Sequence, residues 1–132
     1  MAINKFVSIV DDDLDITTLF QDALSNRIAG FSFVGCNDPV FALEHFLGNQ
    51  KNYAMVIADL RMPGINGLEL LKTIKESSPK VRTILMSAFY VDNDPVVQGY
   101  MKEGVVDKFL QKPVTIRRLC QEVSSLILTK LN

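Results

Sequence analysis

The chain has 132 residues, 48% hydrophobic and 22% charged, with a formal net charge of −1. That length is one domain's worth, buries roughly two-thirds of its unfolded surface, and with this composition excludes a disordered chain. The near-neutral charge, without a Lys/Arg run, excludes a basic field for nucleic acid, and no segment is long and apolar enough to span a bilayer.

Short β-like runs alternate with helical periodicity along the chain. Phe6–Val10 is a compact apolar strand that stops at Asp11-Asp12-Asp13. A helix from about Leu14 to Asn26 follows, with Ile16, Leu19, Phe20, Ala23 and Leu24 on one apolar face. Gly30 marks a turn, and Phe31–Cys36 is the second strand. Asp38 caps a second helix with Pro39 at its first position, and Gly48 closes it. Ala54–Ala58 is apolar on both faces, as in the middle of a parallel sheet.

A turn-rich loop, Asp59 to Gly67, leads to a third helix over about Leu68–Glu76, ended by Ser77-Ser78-Pro79. Val81–Met86 is the fourth strand. Asp92-Asn93-Asp94-Pro95 announces a fourth helix with Val96, Val97, Tyr100 and Met101 apolar, ended by Gly104. Asp107–Leu110 is a short fifth strand, and Thr115 caps a last helix with the stripe Ile116, Leu119, Cys120, Val123, Ile127. Strict β–α alternation predicts an α/β, doubly wound, five-stranded parallel sheet in the flavodoxin-like order 2-1-3-4-5. Residues 1–132 are expected to form one domain without an output domain, in the cytoplasm, since the N-terminus lacks a signal-peptide hydrophobic region.

In such a sheet ligands bind beyond the carboxyl ends of the strands, at the switch between strands one and three. Asp11-Asp12, Asp59, Ser87 and Lys112-Pro113 each follow an apolar run, so all gather at that edge. One acid would suffice to complement a helix N-terminus. Three in a row exceed that role, and clustered carboxylates repel unless a cation such as Mg²⁺ neutralises them. Asp59 could cap its loop as an Asx-turn, but a carboxylate can also act as a nucleophile that forms an acyl phosphate. Phosphoryl transfer then needs charge neutralisation, which Mg²⁺ on Asp12 and Asp59 and the Lys112 ammonium would supply. Ser87 would donate to another phosphoryl oxygen, and the small Ala88 leaves space for entry.

Val10-Asp-Asp12, Asp59-x-x-Met-Pro-Gly64, Ser87-Ala88 and Lys112-Pro113, in this order and spacing, resemble the receiver domain of two-component response regulators over nearly the whole chain. The resemblance implies that Asp59 accepts phosphate from a histidine kinase. It implies Mg²⁺ on Asp11, Asp12, Asp59 and the Arg61 backbone carbonyl, with Ser87 and Lys112 on the phosphoryl group. It also implies a cis Lys112-Pro113 bond and Phe109 as the switch aromatic, which follows Ser87 inward and remodels a surface of helix four, strand five and helix five. That surface would meet an unknown downstream protein target or a second copy of the chain. Arg61 and Phe89, two residues after Asp59 and Ser87, flank the path of attacking water in the family; both are large here and are expected to shield the acyl phosphate. Phe109 has no hydroxyl to draw it to solvent.

Rival readings stay open at this point. A phosphorelay intermediate would use the same residues and pass phosphate to a histidine phosphotransfer protein. A pseudo-receiver used only for docking would be expected to lose part of the site. A phosphatase resembling the haloacid dehalogenase family needs an acid two residues after its nucleophile, where Arg61 stands. A flavin carrier would present no acidic loop after strand one. An enzyme acting beyond its own phosphorylation is not expected. Cys36 and Cys120 are expected as small reduced thiols, and His45 as a surface or half-buried side chain.

Overall fold

A computed structural model describes residues 4–90 and 93–129. The elements are β1 (Lys5–Val10), α1 (Leu14–Arg27), β2 (Phe31–Cys36), α2 (Pro39–Gly48), a short 3-10 turn (Gln50–Asn52), β3 (Tyr53–Asp59), α3 (Gly67–Ser77), β4 (Arg82–Ser87), α4 (Pro95–Lys102), β5 (Lys108–Gln111) and α5 (Ile116–Thr129). The five strands are all parallel in the order β2-β1-β3-β4-β5. Among the described residues no helix is long and apolar enough to cross a membrane.

Every residue of β3 is buried, because helices cover both faces of the central strand. From Met55 onward its side chains alternate between two cores, after a register irregularity against β1 that puts Ala54 and Met55 in the same one. Tyr53, Val56 and Ala58 join Phe46, Leu70, Leu71, Ile74 and Val97 under α2, α3 and α4. Met55 and Ile57 join Phe20, Leu24, Leu119 and Val123 under α1 and α5. A period-two strand between two helical layers produces that division.

Helix starts follow the caps. The Asp13, Asp38 and Asp94 carboxylates accept the first free N–H groups of α1, α2 and α4, each cap contributing about 1 kcal/mol. Asn66 does the same for α3, accepting the Glu69 N–H at 2.9 Å while its amide donates to the Glu69 carboxylate at 2.8 Å. Thr115 accepts the Arg118 N–H at 3.0 Å at the start of α5. Asp92, expected in the cap of α4, lies outside the described residues.

Several expectations shift. β4 and β5 each begin and end one residue later than their apolar runs suggest. Both strands end later because Ser87 pairs with Gln111, and β5 starts after Asp107, whose carboxylate accepts the Thr83 N–H at 2.9 Å and the Lys75 ammonium at 2.8 Å. It ties α3, β4 and β5 together instead of starting a strand. Leu19 and Val96, assigned to apolar faces, are exposed. On α1 the buried position falls to Thr17, whose hydroxyl donates to the Leu14 carbonyl at 3.1 Å. Cys36 is buried, with its thiol pushed up to about 11 by desolvation, and Cys120 is half-buried; both are free. His45 is half-buried, its Nδ1 2.7 Å from the Tyr53 hydroxyl.

Candidate functional site

The carboxyl ends of β1 and β3 lie side by side, which brings the acids after them together. Oxygens of Asp11, Asp12 and Asp59 all lie within 4.8 Å of one another. The triplet divides its work: Asp13 caps α1, while Asp11 and Asp12 turn to Asp59. Asp11 is 1% exposed and Asp59 8%. Asp11 continues the sheet, its N–H donating to the Cys36 carbonyl at 3.1 Å. Its Oδ1 accepts the Asp13 N–H at 3.0 Å.

Lys112 enters from β5. Its N–H donates to the Ser87 carbonyl at 2.8 Å, and the bond to Pro113 is cis. Its Nζ lies 2.8 Å from Asp11 Oδ2 and 3.1 Å from Asp59 Oδ1, so one ammonium bridges two carboxylates. Burial pushes the Asp59 carboxyl up; Lys112 pulls it down, Asp11 and Asp12 push it up again, and the net direction is up. Burial pulls Lys112 down, but its bonds and charge attraction to Asp11 and Asp59 outweigh this and leave it raised. Three carboxylates against one ammonium leave an excess of two negative charges. A hard divalent cation with oxygen ligands, such as Mg²⁺, fits that donor set and that charge.

Ser87 ends β4 and is buried. Its Oγ accepts the Phe89 N–H at 2.9 Å and makes no hydrogen bond to Asp59 or Lys112. Arg61 begins the loop that leaves Asp59 through Leu60, and its guanidinium stacks 4.1 Å from the centre of the Phe89 ring. The loops after β3 and β4 are thereby joined across the mouth of the site. Ala88 is exposed and lines an apolar cavity of about 380 Å³ with Ile16, Leu19, Phe20 and Val114, beside Lys112. Phe109 is half-buried: it packs against the core under α3 and α4 and also lines a crevice beside Tyr90 and Arg118. Val105 is buried, and Tyr100 and Met101 pack on the same core.

Three supporting residues escaped sequence reasoning. The Asn37 amide donates to the Asp11 carbonyl at 3.0 Å and to Thr17 Oγ1 at 2.9 Å, fixing the backbone under the carboxylates. Gly67 packs against the Asp59 carbonyl, and its N–H donates to the Leu60 carbonyl at 2.9 Å. The Asn37 contacts join the loop after β2 to the end of β1 and to α1, the Gly67 contacts close the loop after β3, and no local spacing announces either pair.

The family model for the response regulator receiver domain matches residues 7–124. The regulator NtrC of Klebsiella pneumoniae is 38% identical over 111 residues, 82% of this chain and 22% of the relative. The regulator FixJ of Bradyrhizobium diazoefficiens is 30% identical over 127 residues, 96% of this chain and 58% of the relative. The chain thus spans about a fifth of the NtrC relative's length. A CheY-like receiver domain protein from Methanospirillum hungatei superposes with a TM-score of 0.85 at 19% identity, covering 98% of both chains. The chain belongs to the response regulator receiver domain family.

Proposed function

We propose that Asp59 is the phospho-acceptor and that its phosphorylation by a histidine kinase switches the surface of α4, β5 and α5. The observation that carries this reading is the Lys112 ammonium held between the buried Asp11 and Asp59 carboxylates at the carboxyl edge of the sheet. An Asp59 oxygen attacks the phosphorus of a phosphohistidine; the new P–O bond forms as the P–N bond breaks. Mg²⁺ held by Asp11, Asp12, Asp59 and the Arg61 carbonyl would supply charge neutralisation for the phosphoryl oxygens. Lys112 turns its Nζ to one of those oxygens.

Ser87 keeps its hydroxyl proton while Oγ accepts the Phe89 N–H, so it is equipped to donate to a phosphoryl oxygen. That movement draws the loop after β4 inward and gives the half-buried Phe109 a new packing position. Such a local charge event biasing a two-state element is a general switching device. The altered face would meet a downstream protein or a second copy of the chain, with no direct contact to nucleic acid or membrane.

Intact mass after incubation with acetyl phosphate tests the reading. A single phosphoryl adduct is expected with Mg²⁺, reduced by a chelator and absent in Asp59→Asn. An adduct retained in that variant would move the acceptor elsewhere.

The Arg61–Phe89 stack flanks phosphoryl access together with Ala88. Replacing both large residues by alanine is expected to shorten the acyl-phosphate lifetime about 2- to 5-fold, from the worth of an exposed cation–π contact. Decay of the phosphorylated mass with time measures it, and equal decay in the two proteins would refute a shielding role.

A further inference from the structure

At the sheet edge opposite the carboxylate cluster, a crevice of about 420 Å³ is lined by Lys5, Gln50, Lys51, Ser78 and Lys80 among others. We propose that it binds a small molecule carrying two or more phosphate groups. Its three lysines come from three separate places: the first residue of β1, the turn before β3, and the connection between α3 and β4. All three are exposed, and none has an ion-pair partner among the described residues. By contrast, Lys75, Lys108 and Lys112 each reach a carboxylate.

The chain as a whole is slightly acidic, with a formal net charge of −1. Three lysines that line one concavity without an ion-pair partner among the described residues are therefore a local concentration of positive charge, which an anion would relieve. The neutral groups add directionality. Ser78 Oγ donates to Gln50 Oε1 at 3.0 Å, which occupies the amide's acceptor and leaves its NH₂ group as a donor. The charged and amide groups at this crevice thus offer hydrogen-bond donors, which suits phosphate oxygens. The exposed Pro79, with the edges of the buried Tyr53 and Val81, supplies a small apolar wall against which an organic moiety can rest.

The shape selects among anions. A crevice of this volume falls in the usual small-ligand range of roughly 300–1,000 Å³. A nucleic-acid backbone or an anionic membrane would instead meet an extended basic stripe or face. The strands separate this crevice from Asp59 by about 20 Å, so it is distinct from the proposed phospho-acceptor site.

The test titrates the full chain with inorganic tripolyphosphate and, separately, with ADP, by calorimetry in chelator-treated buffer at fixed ionic strength. Wild type is compared with Lys5→Gln/Lys51→Gln/Lys80→Gln and with Asp59→Asn. Saturable binding is expected, weakened about tenfold or more in the triple variant, by loss of charge-assisted hydrogen bonds, and unchanged in Asp59→Asn. ADP binding tighter than tripolyphosphate would assign the apolar wall to a nucleoside; equal affinity would assign the site to the phosphate chain alone. Absence of saturation with both probes, or equal affinity in wild type and the triple variant, would overturn the proposal. The variant's melting temperature, expected to match wild type because the lysines are exposed, keeps misfolding from imitating a lost site.

Discussion

Gly67→Ala is expected to destabilise the protein by about 3 kcal/mol or more, at or above the upper end for overpacking a close contact. A Cβ on Gly67 would fall onto the carbonyl oxygen of Asp59, 2.9 Å from its carbonyl carbon and 3.0 Å from Leu85 Cδ1. The first two atoms are backbone of the central strand and have nowhere to go. Relief requires α3 to back away from β3, which breaks the 2.9 Å bond from the Gly67 N–H to Leu60 and opens the packing of the buried Leu68, Leu70 and Leu71. The alternative relief moves Asp59 itself, and with it the oxygen that Lys112 holds. Either path should lower the melting temperature by on the order of 10 °C and slow formation of the phosphoryl adduct. Gly99→Ala is the matching control, since a Cβ there meets nothing within 4 Å. In the interior of α4 that change should stabilise by roughly 0.5–1 kcal/mol. Thermal melts of the two variants measure the contrast, and a Gly67→Ala protein as stable as wild type would refute the close approach.

The sheet and its site differ in how much of them the residues announce locally. Apolar runs of four to seven residues, each closed by a turn former, mark all five strands, and strict alternation with helices leaves one common order. Polar residues on the carboxyl side of each run then fall at one edge, which is why the sequence alone groups Asp11, Asp12, Asp59 and Lys112, and the structure has them together. The cis Lys112-Pro113 bond, implied by the family resemblance, is present as well.

What escaped depends on contacts between residues distant in the chain. Asp107 reads as the first residue of a strand until its partners Lys75 and Thr83, 32 and 24 positions away, are known. Leu19 and Val96 fit helical periodicity, yet an apolar face is wider than the surface its helix covers, and both stay in water. The Asn37–Thr17 bond beneath Asp11 and the Arg61–Phe89 stack join different loops, where spacing carries no signal.

Lys112→Ala is expected to be the most revealing change in the site, because it removes the counter-charge and leaves the carboxylates. In a chelating buffer at neutral pH the loss should be about 2–3 kcal/mol, below the figure for breaking a fully buried pair. The discount reflects the Lys112 side chain, which is 23% exposed, whereas Asp11 is 1% exposed and cannot turn to water. The pH dependence follows from the directions of the shifts. Asp59 has a raised carboxyl, so its ionised form costs stability: the penalty is absent below the ordinary carboxyl pKa and complete once pH exceeds the raised folded value. Lys112 is one of the groups holding that value down, so in the variant it rises further and protonation relieves the cluster at higher pH. The gap between wild type and variant should therefore narrow as pH falls from 8 to 5, reading about 2–3 kcal/mol at the upper end. The raised Lys112 itself stabilises fully below its ordinary pKa and loses that contribution only as pH climbs through its folded value, so it does not titrate in this window. Added Mg²⁺ should restore more stability to the variant than to wild type, because ligand binding to the folded state stabilises by mass action and the variant lacks the competing ammonium. Urea titrations at several pH values, with and without Mg²⁺, read both effects. A gap independent of pH and of Mg²⁺ would mean that Lys112 contributes packing alone, and would remove the electrostatic basis for its place at the phosphoryl group.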